Sequence, residues 1–207
     1  INLIDDIDIK NANSLGYKIK HLGLSEIDNG KLIQRVHPCL IKKDSRLSNV
    51  NGVLNSVIIE SEPVGKSVLQ GEGAGPGPTT SALVSDICSV LRGNIKFPFS
   101  VSSKKRKKIL STDLSNKSFS SYIRLDVIDK KGVLSSITKI MSKNKISVKR
   151  LIQNPFKSKK YATIILISHK AKNKNLVRCL KHLSNKNFII KKPKFIDLAS
   201  KKFGSST

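Results

Sequence analysis

The strongest constraint on the fold is the rhythm of residues 118–207, where apolar positions switch between alternate-residue and helical spacing in a fixed order. "SYIRLDVI" places Ile123, Leu125 and Val127 on one face of a strand, and "DKKG" (Asp129 to Gly132) supplies a turn. "VLSSITKIMSKN" then carries Val133, Leu134, Ile137, Ile140 and Met141 at helix spacing. "KISVKRLIQ" and the β-branched "YATIILIS" read as strands, "NKNLVRCLKHLSNK" repeats Leu176, Leu180 and Leu183 as a helix, and "NFIIKKPKFIDL" gives a last strand. The order βαββαβ is that of an antiparallel sheet with helices packed on one face. Pro193 interrupts the last strand, which makes an edge position the expectation.

The first half has a different grammar. Ile7, Ile9, Ala12 and Leu15 read as the end of a helix stopped by Gly16, with Asp5, Asp6 and Asp8 as exposed helix charge. Tyr17, Ile19 and Leu22 alternate with lysines as a half-buried strand. Asn29-Gly30 is a hairpin signal, and "LIQRVHPCLI" is the returning strand. Val57 to Glu60 is a short buried strand and "KSVLQ" another. They deliver the chain to "GEGAGPGP" (Gly71 to Pro78), four glycines and two prolines in eight residues. Pro78 with Thr79 or Thr80 starts a helix whose stripe is Leu83, Ile87, Val90 and Leu91, ended by Gly93.

That glycine run does not satisfy G-x-G-x-x-G: counting from Gly71 the third position is Pro76, and from Gly73 it is Pro78. No Lys-Ser or Lys-Thr follows, so it is not a P-loop either. The glycines permit positive φ and close backbone approach just ahead of a helix N-terminus with unpaired N–H groups. On the residues alone, contact with an amide- or phosphate-bearing ligand and a tight structural turn both remain open.

Charge divides the chain. Of a net +25, residues 1–97 carry +1, residues 98–117 carry +5 and residues 118–207 carry +19. The expectation is a first domain at 1–97, a basic linker at 98–117 containing the run Lys104 to Lys108, and a second domain at 118–207. The 32 lysines against 7 arginines, scattered over exposed-looking positions, argue for a solvated face and against nucleic-acid recognition, which favours Arg. No apolar run is long enough to cross a membrane as a helix, and three widely spaced cysteines fit a reducing cytoplasm better than a disulfide framework. The first residue is Ile1 in mid-pattern, so a fragment or processed chain is expected.

Chemistry-bearing clusters are sparse. His37 and Cys39 lie two apart on a strand and read as packed residues, not a zinc site. His21, His169 and His182 have no partners in sequence, and no nucleophile elbow, H-E-x-x-H or paired Cys and His is present.

Four consecutive stretches resemble bacterial homoserine dehydrogenase: "LGYKIKHLG" (Leu15 to Gly23), "GKLIQRVHPCLI" (Gly30 to Ile41), "LSNVNGVLNSVIIES" (Leu47 to Ser61) and "GEGAGPGPTTSALVSDI" (Gly71 to Ile87). The last is similar to that family's G-x-GAG-x-x-PT-x-SAV-x-SDI signature, with Leu83 where Val is usual. "LDVIDKKGVLSSITKIMSKNKISVKRLIQ" (Leu125 to Gln153) resembles the ACT regulatory domain, with Lys131 where Pro is usual.

The resemblance implies an α+β fold: an incomplete mixed-sheet substrate and dimerisation domain, then a ferredoxin-like ACT domain. The strands from Tyr17 to Ile41 and that from Val57 would share one sheet. It implies NAD(P)-dependent interconversion of homoserine and aspartate 4-semialdehyde, on the route to threonine, methionine and isoleucine, in a cytoplasmic homo-oligomer. Gly73, Ala74 and Gly75 become the cofactor contacts, for NADP or NAD. Asp129, Gly132, Val133 and Leu134 become the contacts of an effector amino acid, threonine. The family's dinucleotide fingerprint, catalytic lysine and substrate-binding acids lie upstream of the matched part, so no catalytic residue and no metal site is assigned. The rival reading is a non-enzymatic regulator that binds an amino acid or nucleic acid.

Overall fold

The computed structural model describes residues 4–93, 102–106, 108–155 and 160–199. The start of the expected linker, residues 98–101, and Lys107 within its basic run lie outside the described residues.

In chain order the elements are α1 (Asp6–Ser14), β1 (Tyr17–Asp28), β2 (Lys31–Lys42), β3 (Leu54–Ser61), β4 (Gly65–Glu72) and α2 (Pro76–Leu91). There follow β5 (Ser118–Phe119), β6 (Ser121–Ile128), α3 (Val133–Lys143), β7 (Val148–Pro155), β8 (Tyr161–Ser168), β9 (Ala171–Lys172), α4 (Asn173–Ser184) and β10 (Lys194–Leu198). The second half is the expected βαββαβ unit, and the fold as a whole is α+β with a mixed sheet.

The Asn29-Gly30 turn forms as read. Both residues sit at positive φ, 50° and 72°, and β1 pairs with β2 in register from Asp28↔Lys31 to Tyr17↔Lys42. These strands do not form a sheet of their own. The six-stranded order is β1-β2-β10-β6-β8-β7, with β10 parallel to β2 and antiparallel to β6. Pro193 therefore does not mark an edge: it lies just before β10, where no ladder N–H is required, and β10 is bonded on both sides. The backbone N–H of Ala199 donates to Leu40 O at 2.9 Å and that of Leu198 to Ser120 O at 2.8 Å, which extends the seam past the strand. The strand from Val57 does not join this sheet either. Among the described residues β3 pairs only with β4, in a separate hairpin whose Val57, Ile59 and Leu69 are exposed.

Both faces of the large sheet are covered. Ile123, Leu125 and Val127 of β6, with Ala162, Ile164 and Leu166 of β8, pack under α3 and α4 against Ile137, Met141, Leu176, Leu180 and Leu183. The opposite face, with Tyr122, Ile165, Ile167 and Ile196, takes Ala12 of α1 and Leu15 at its C-cap together with Leu40. The arrangement is helix, sheet, helix, and it explains why Ser121 to Val127 are all buried although their pattern reads as alternating.

Of the acidic cluster, Asp5 and Asp6 are exposed as read, but Asp8 is not solvated charge. Asp8 is only 1% exposed; its carboxylate accepts from Tyr122 Oη at 3.0 Å and pairs with Arg124 Nε at 3.0 Å. Arg124, 6% exposed, also reaches Asp5 at 2.6 Å, and Asp5 takes Lys194 at 2.7 Å. Asp126 stands 3.9 Å from Arg124 and accepts from Thr163 Oγ1 at 2.9 Å. Burial works against the Arg124 charge, but its bond to Asp5 and the fields of Asp8 and Asp126 outweigh that and raise its pKa above the ordinary value. The helix reading put Asp6 and Asp8 on α1 correctly, with Asp5 as its N-cap; it carries no information about which strand residue meets them.

A second polar junction closes the β2–β10 seam. Asp197 accepts from Arg35 at 3.0 Å and from Ser121 Oγ at 2.9 Å, while the Arg35 guanidinium lies 4.0 Å from the centre of the Phe119 ring. Residues 110–112 also make backbone contact with β2: Leu32 N–H donates to Leu110 O and Thr112 N–H to Leu32 O, both at 2.9 Å.

Candidate cofactor loop and effector cavity

The glycine loop lies between β4 and α2. Gly75 is the N-cap of α2 with φ 121° and ψ 158°, a conformation open in practice only to glycine. The helix starts at Pro76, earlier than the Pro78-Thr79 start expected from sequence. Both prolines fall within the first turn, where a missing N–H removes no helical bond. Thr79 does not cap; its Oγ1 donates back to Gly75 O at 2.7 Å, and its N–H reaches the same oxygen at 3.2 Å.

Space around the loop is uneven. A side chain at Gly71 or Gly77 would meet nothing within 4 Å, so these flanks are open. At Gly73 it would run into Asn55, with Cγ only 2.7 Å from the added carbon. The Gly73 N–H donates to Val53 O at 2.9 Å, which ties the loop to the start of β3. Gly73, Ala74 and Gly75 are thus brought together as one exposed turn at a helix N-terminus. None of the α2 residues is buried, and Leu83, Val84, Ile87, Val90 and Leu91 are all more than half exposed. Such an apolar stripe on a single helix is a contact face, not a solvent face.

The second group of sequence-predicted residues also converges. Asp129, Gly132, Val133 and Leu134 line a cavity of about 220 Å³ with Lys131 and Gln153. Gly132, at φ 86°, is the N-cap of α3, so the helix opens at this cavity with its positive dipole end. Gln153 Nε2 donates to Asp129 Oδ1 at 3.3 Å, and Asp129 N–H to Lys160 O at 2.9 Å. The Val133 N–H is already engaged by Lys130 O at 3.3 Å. A larger open groove of about 510 Å³ runs beside Ile9, Ile19 and Pro38; the ammonium groups of Lys18 and Lys20 along it are tied to Ser48 O at 3.0 Å and Asn51 Oδ1 at 2.8 Å.

His37 and Cys39 do meet, with Nε2 and Sγ 3.0 Å apart. The pair is not a nucleophile and base: burial pushes the Cys39 thiol up to about 12, and burial beside Arg35 holds His37 below its ordinary value. Asp197 faces the same His37 nitrogen at 3.9 Å, not the opposite one. Among the described residues no group of His, Cys, Asp and Glu could hold a metal ion, and no helix is long and apolar enough to cross a membrane. Asn55 and the Arg124 network escaped the sequence reading, since a polar residue on an exposed strand and a charge in an alternating strand carry no periodic signal.

Residues 1–88 match the family model described as homoserine dehydrogenase. A homoserine dehydrogenase of Helicobacter pylori is 32% identical over 198 residues, covering 96% of this chain and 47% of that protein. One from Neisseria gonorrhoeae is 33% identical over 184 residues, covering 85% of this chain and 42% of its own length. In structure, a homoserine dehydrogenase from Thiobacillus denitrificans superimposes with a TM-score of 0.84 at 28% identity, over 97% of this chain and 46% of that one. The chain spans about half the length of the relatives it matches.

Proposed function

We propose, on the premise that this chain belongs to the homoserine dehydrogenase family, that it forms part of an NAD(P)-dependent enzyme interconverting L-homoserine and L-aspartate 4-semialdehyde. The observation that carries the reading is the Gly73–Ala74–Gly75 turn, set by a glycine-only φ into the N-terminus of an α-helix. Its open flanks at Gly71 and Gly77 fit a group that must approach the backbone closely. When bound, the nicotinamide nucleotide, NADP or NAD, supplies the hydride acceptor or donor.

The chain's own residues bind and shield. Gly73, Ala74 and Gly75 present backbone to the nucleotide, and the positive end of α2 favours a phosphate or a carboxamide oxygen there. The exposed stripe of Leu83, Ile87 and Leu91 packs against the nucleotide-binding part of the whole enzyme and keeps water from the turn. No catalytic residue is assigned to this chain.

Residues 118–207 form an ACT regulatory module, reached through the basic linker at 98–117 from the catalytic and dimerisation part at 1–97. An effector amino acid, threonine, binds where Asp129, Gly132, Val133 and Leu134 meet: the α3 N-terminus takes its carboxylate and Asp129 its ammonium group. Lys131 narrows the choice of ligand to one that tolerates a cation at the rim. The enzyme works as a cytoplasmic homo-oligomer in threonine, methionine and isoleucine biosynthesis.

The test is homoserine-dependent reduction of NAD and NADP by the intact protein, followed by absorbance with and without threonine. Activity that falls with threonine supports both halves of the reading. Activity indifferent to threonine keeps the enzyme and leaves the βαββαβ module structural. No activity with either nucleotide overturns the dehydrogenase and favours the regulator that binds an amino acid or nucleic acid.

A further inference from the structure

Two glycines of the loop are required for different reasons. Gly75 is fixed by its backbone angle, whereas Gly73 has no positive φ and is fixed by space alone. The occupant of that space is Asn55. Antiparallel pairing sets Asn55 opposite Gly71, and the next residue on the same face of β4's continuation is Gly73. With no side chain at either position, the Asn55 carboxamide lies down over the turn. A carbon added at Gly73 would be 2.7 Å from Asn55 Cγ and 3.6 Å from Asn55 Cβ, so only the carboxamide conflicts. The residue just before β3 also holds the loop, through the bond from Gly73 N–H to Val53 O at 2.9 Å.

We infer that Asn55 is a positioning residue for the nicotinamide nucleotide: its side chain clamps Gly73 and thereby fixes where Gly75 and the start of α2 present their backbone. The inference rests on the dehydrogenase reading above and adds a residue to it. Asn55 acts through Gly73, so its removal loosens nucleotide binding while the homoserine site is untouched. Gly73→Ala forces the carboxamide aside and displaces the turn; Asn55→Ala removes the obstruction and leaves an ordinary contact at 3.6 Å.

The experiment is a double-mutant cycle in the intact protein, read by steady-state kinetics and by thermal unfolding. Expected are a rise of roughly tenfold in the KM for the nucleotide in Asn55→Ala, with kcat and the KM for homoserine within about twofold of wild type. Gly73→Ala loses on the order of a hundredfold in kcat/KM, the scale of a misplacement near 1 Å, and Gly73→Ala/Asn55→Ala recovers at least about tenfold of it. Unfolding midpoints follow the same order, the double variant lying above Gly73→Ala. An active wild type whose Asn55→Ala variant keeps its nucleotide KM, or raises both KM values alike, overturns the inference alone. So does a double variant no better than Gly73→Ala. A wild type inactive with both nucleotides overturns the dehydrogenase reading and this inference with it.

Discussion

Replacing Arg124 by Met tests the account of how α1 is held against the sheet. Arg124 is 6% exposed and its most buried partner, Asp8, 1% exposed, so Met fills the space but leaves a carboxylate in a dry site with only the Tyr122 hydroxyl and the Asp5 backbone N–H donating to it. Breaking a buried ion pair from one side costs about 3–5 kcal/mol. Asp5 is half exposed and returns to water, and Asp126 keeps its bond from Thr163, so neither adds to the penalty and the lower figure applies. About 3 kcal/mol in a chain of this length lowers Tm by roughly 6–12 °C. Calorimetry of wild type, Arg124→Met and Arg124→Met/Asp8→Asn reads it directly. The double variant removes the stranded charge and should regain at least about half of the loss, because replacing both partners of a buried pair costs far less than removing one. A single variant within about 1 kcal/mol of wild type, or a double variant no better than the single, refutes the claim that Asp8 depends on Arg124.

Three further outcomes follow from the same structure. Cys39 and Cys179 are 2% and 0% exposed with thiols pushed up to about 12 and about 11, so a maleimide should modify Cys88 alone in the native protein and all three cysteines in denaturant, read by mass spectrometry. Burial and Arg35 hold His37 below its ordinary 6.5, so the unfolded chain binds the extra proton first and stability falls as pH drops from 6.5 through the folded value. Urea midpoints measured between pH 7 and pH 5 should therefore decline less in His37→Gln than in wild type. Gly75→Ala forces a side chain into a φ of 121° at about 1–3 kcal/mol, and α2 amides should exchange faster in that variant while those of β6 and β8 do not change.

What the sequence disclosed was whatever local physics dictates. Asn29-Gly30 was legible because few other pairs accept two positive φ values, and the βαββαβ order because Ile123, Leu125 and Val127 or Leu176, Leu180 and Leu183 need no knowledge of their neighbours. The start of α2 was misplaced because Pro78-Thr79 looks like a helix entry, while the true N-cap is a glycine whose angle no pattern announces. The meeting of β2 with β10 rests on the register of Cys39 with Asp197 and Leu40 with Leu198, a parallel contact without periodic trace. Asp8 read as surface charge because its partner, Arg124, lies in a strand far along the chain. In the glycine loop, sequence supplied the conformational freedom of Gly75, but the crowding of Gly73 by Asn55 is a property of the β3–β4 register.

The parallel seam between β2 and β10 has a consequence for how the protein is made. Arg35 and Asp197, which close it, are 162 positions apart. A ribosome therefore releases the β1–β2 hairpin long before the strand that will satisfy the open side of β2 exists. During that interval Leu40 and Ile41, both sealed in the finished sheet, sit on an unpaired edge of the kind that invites pairing with a neighbouring nascent chain. Closure of so distant a contact is also slow relative to the local hairpins. Translation speed and chaperone supply, more than intrinsic stability, should then decide the yield of correctly zipped molecules in an expressing cell.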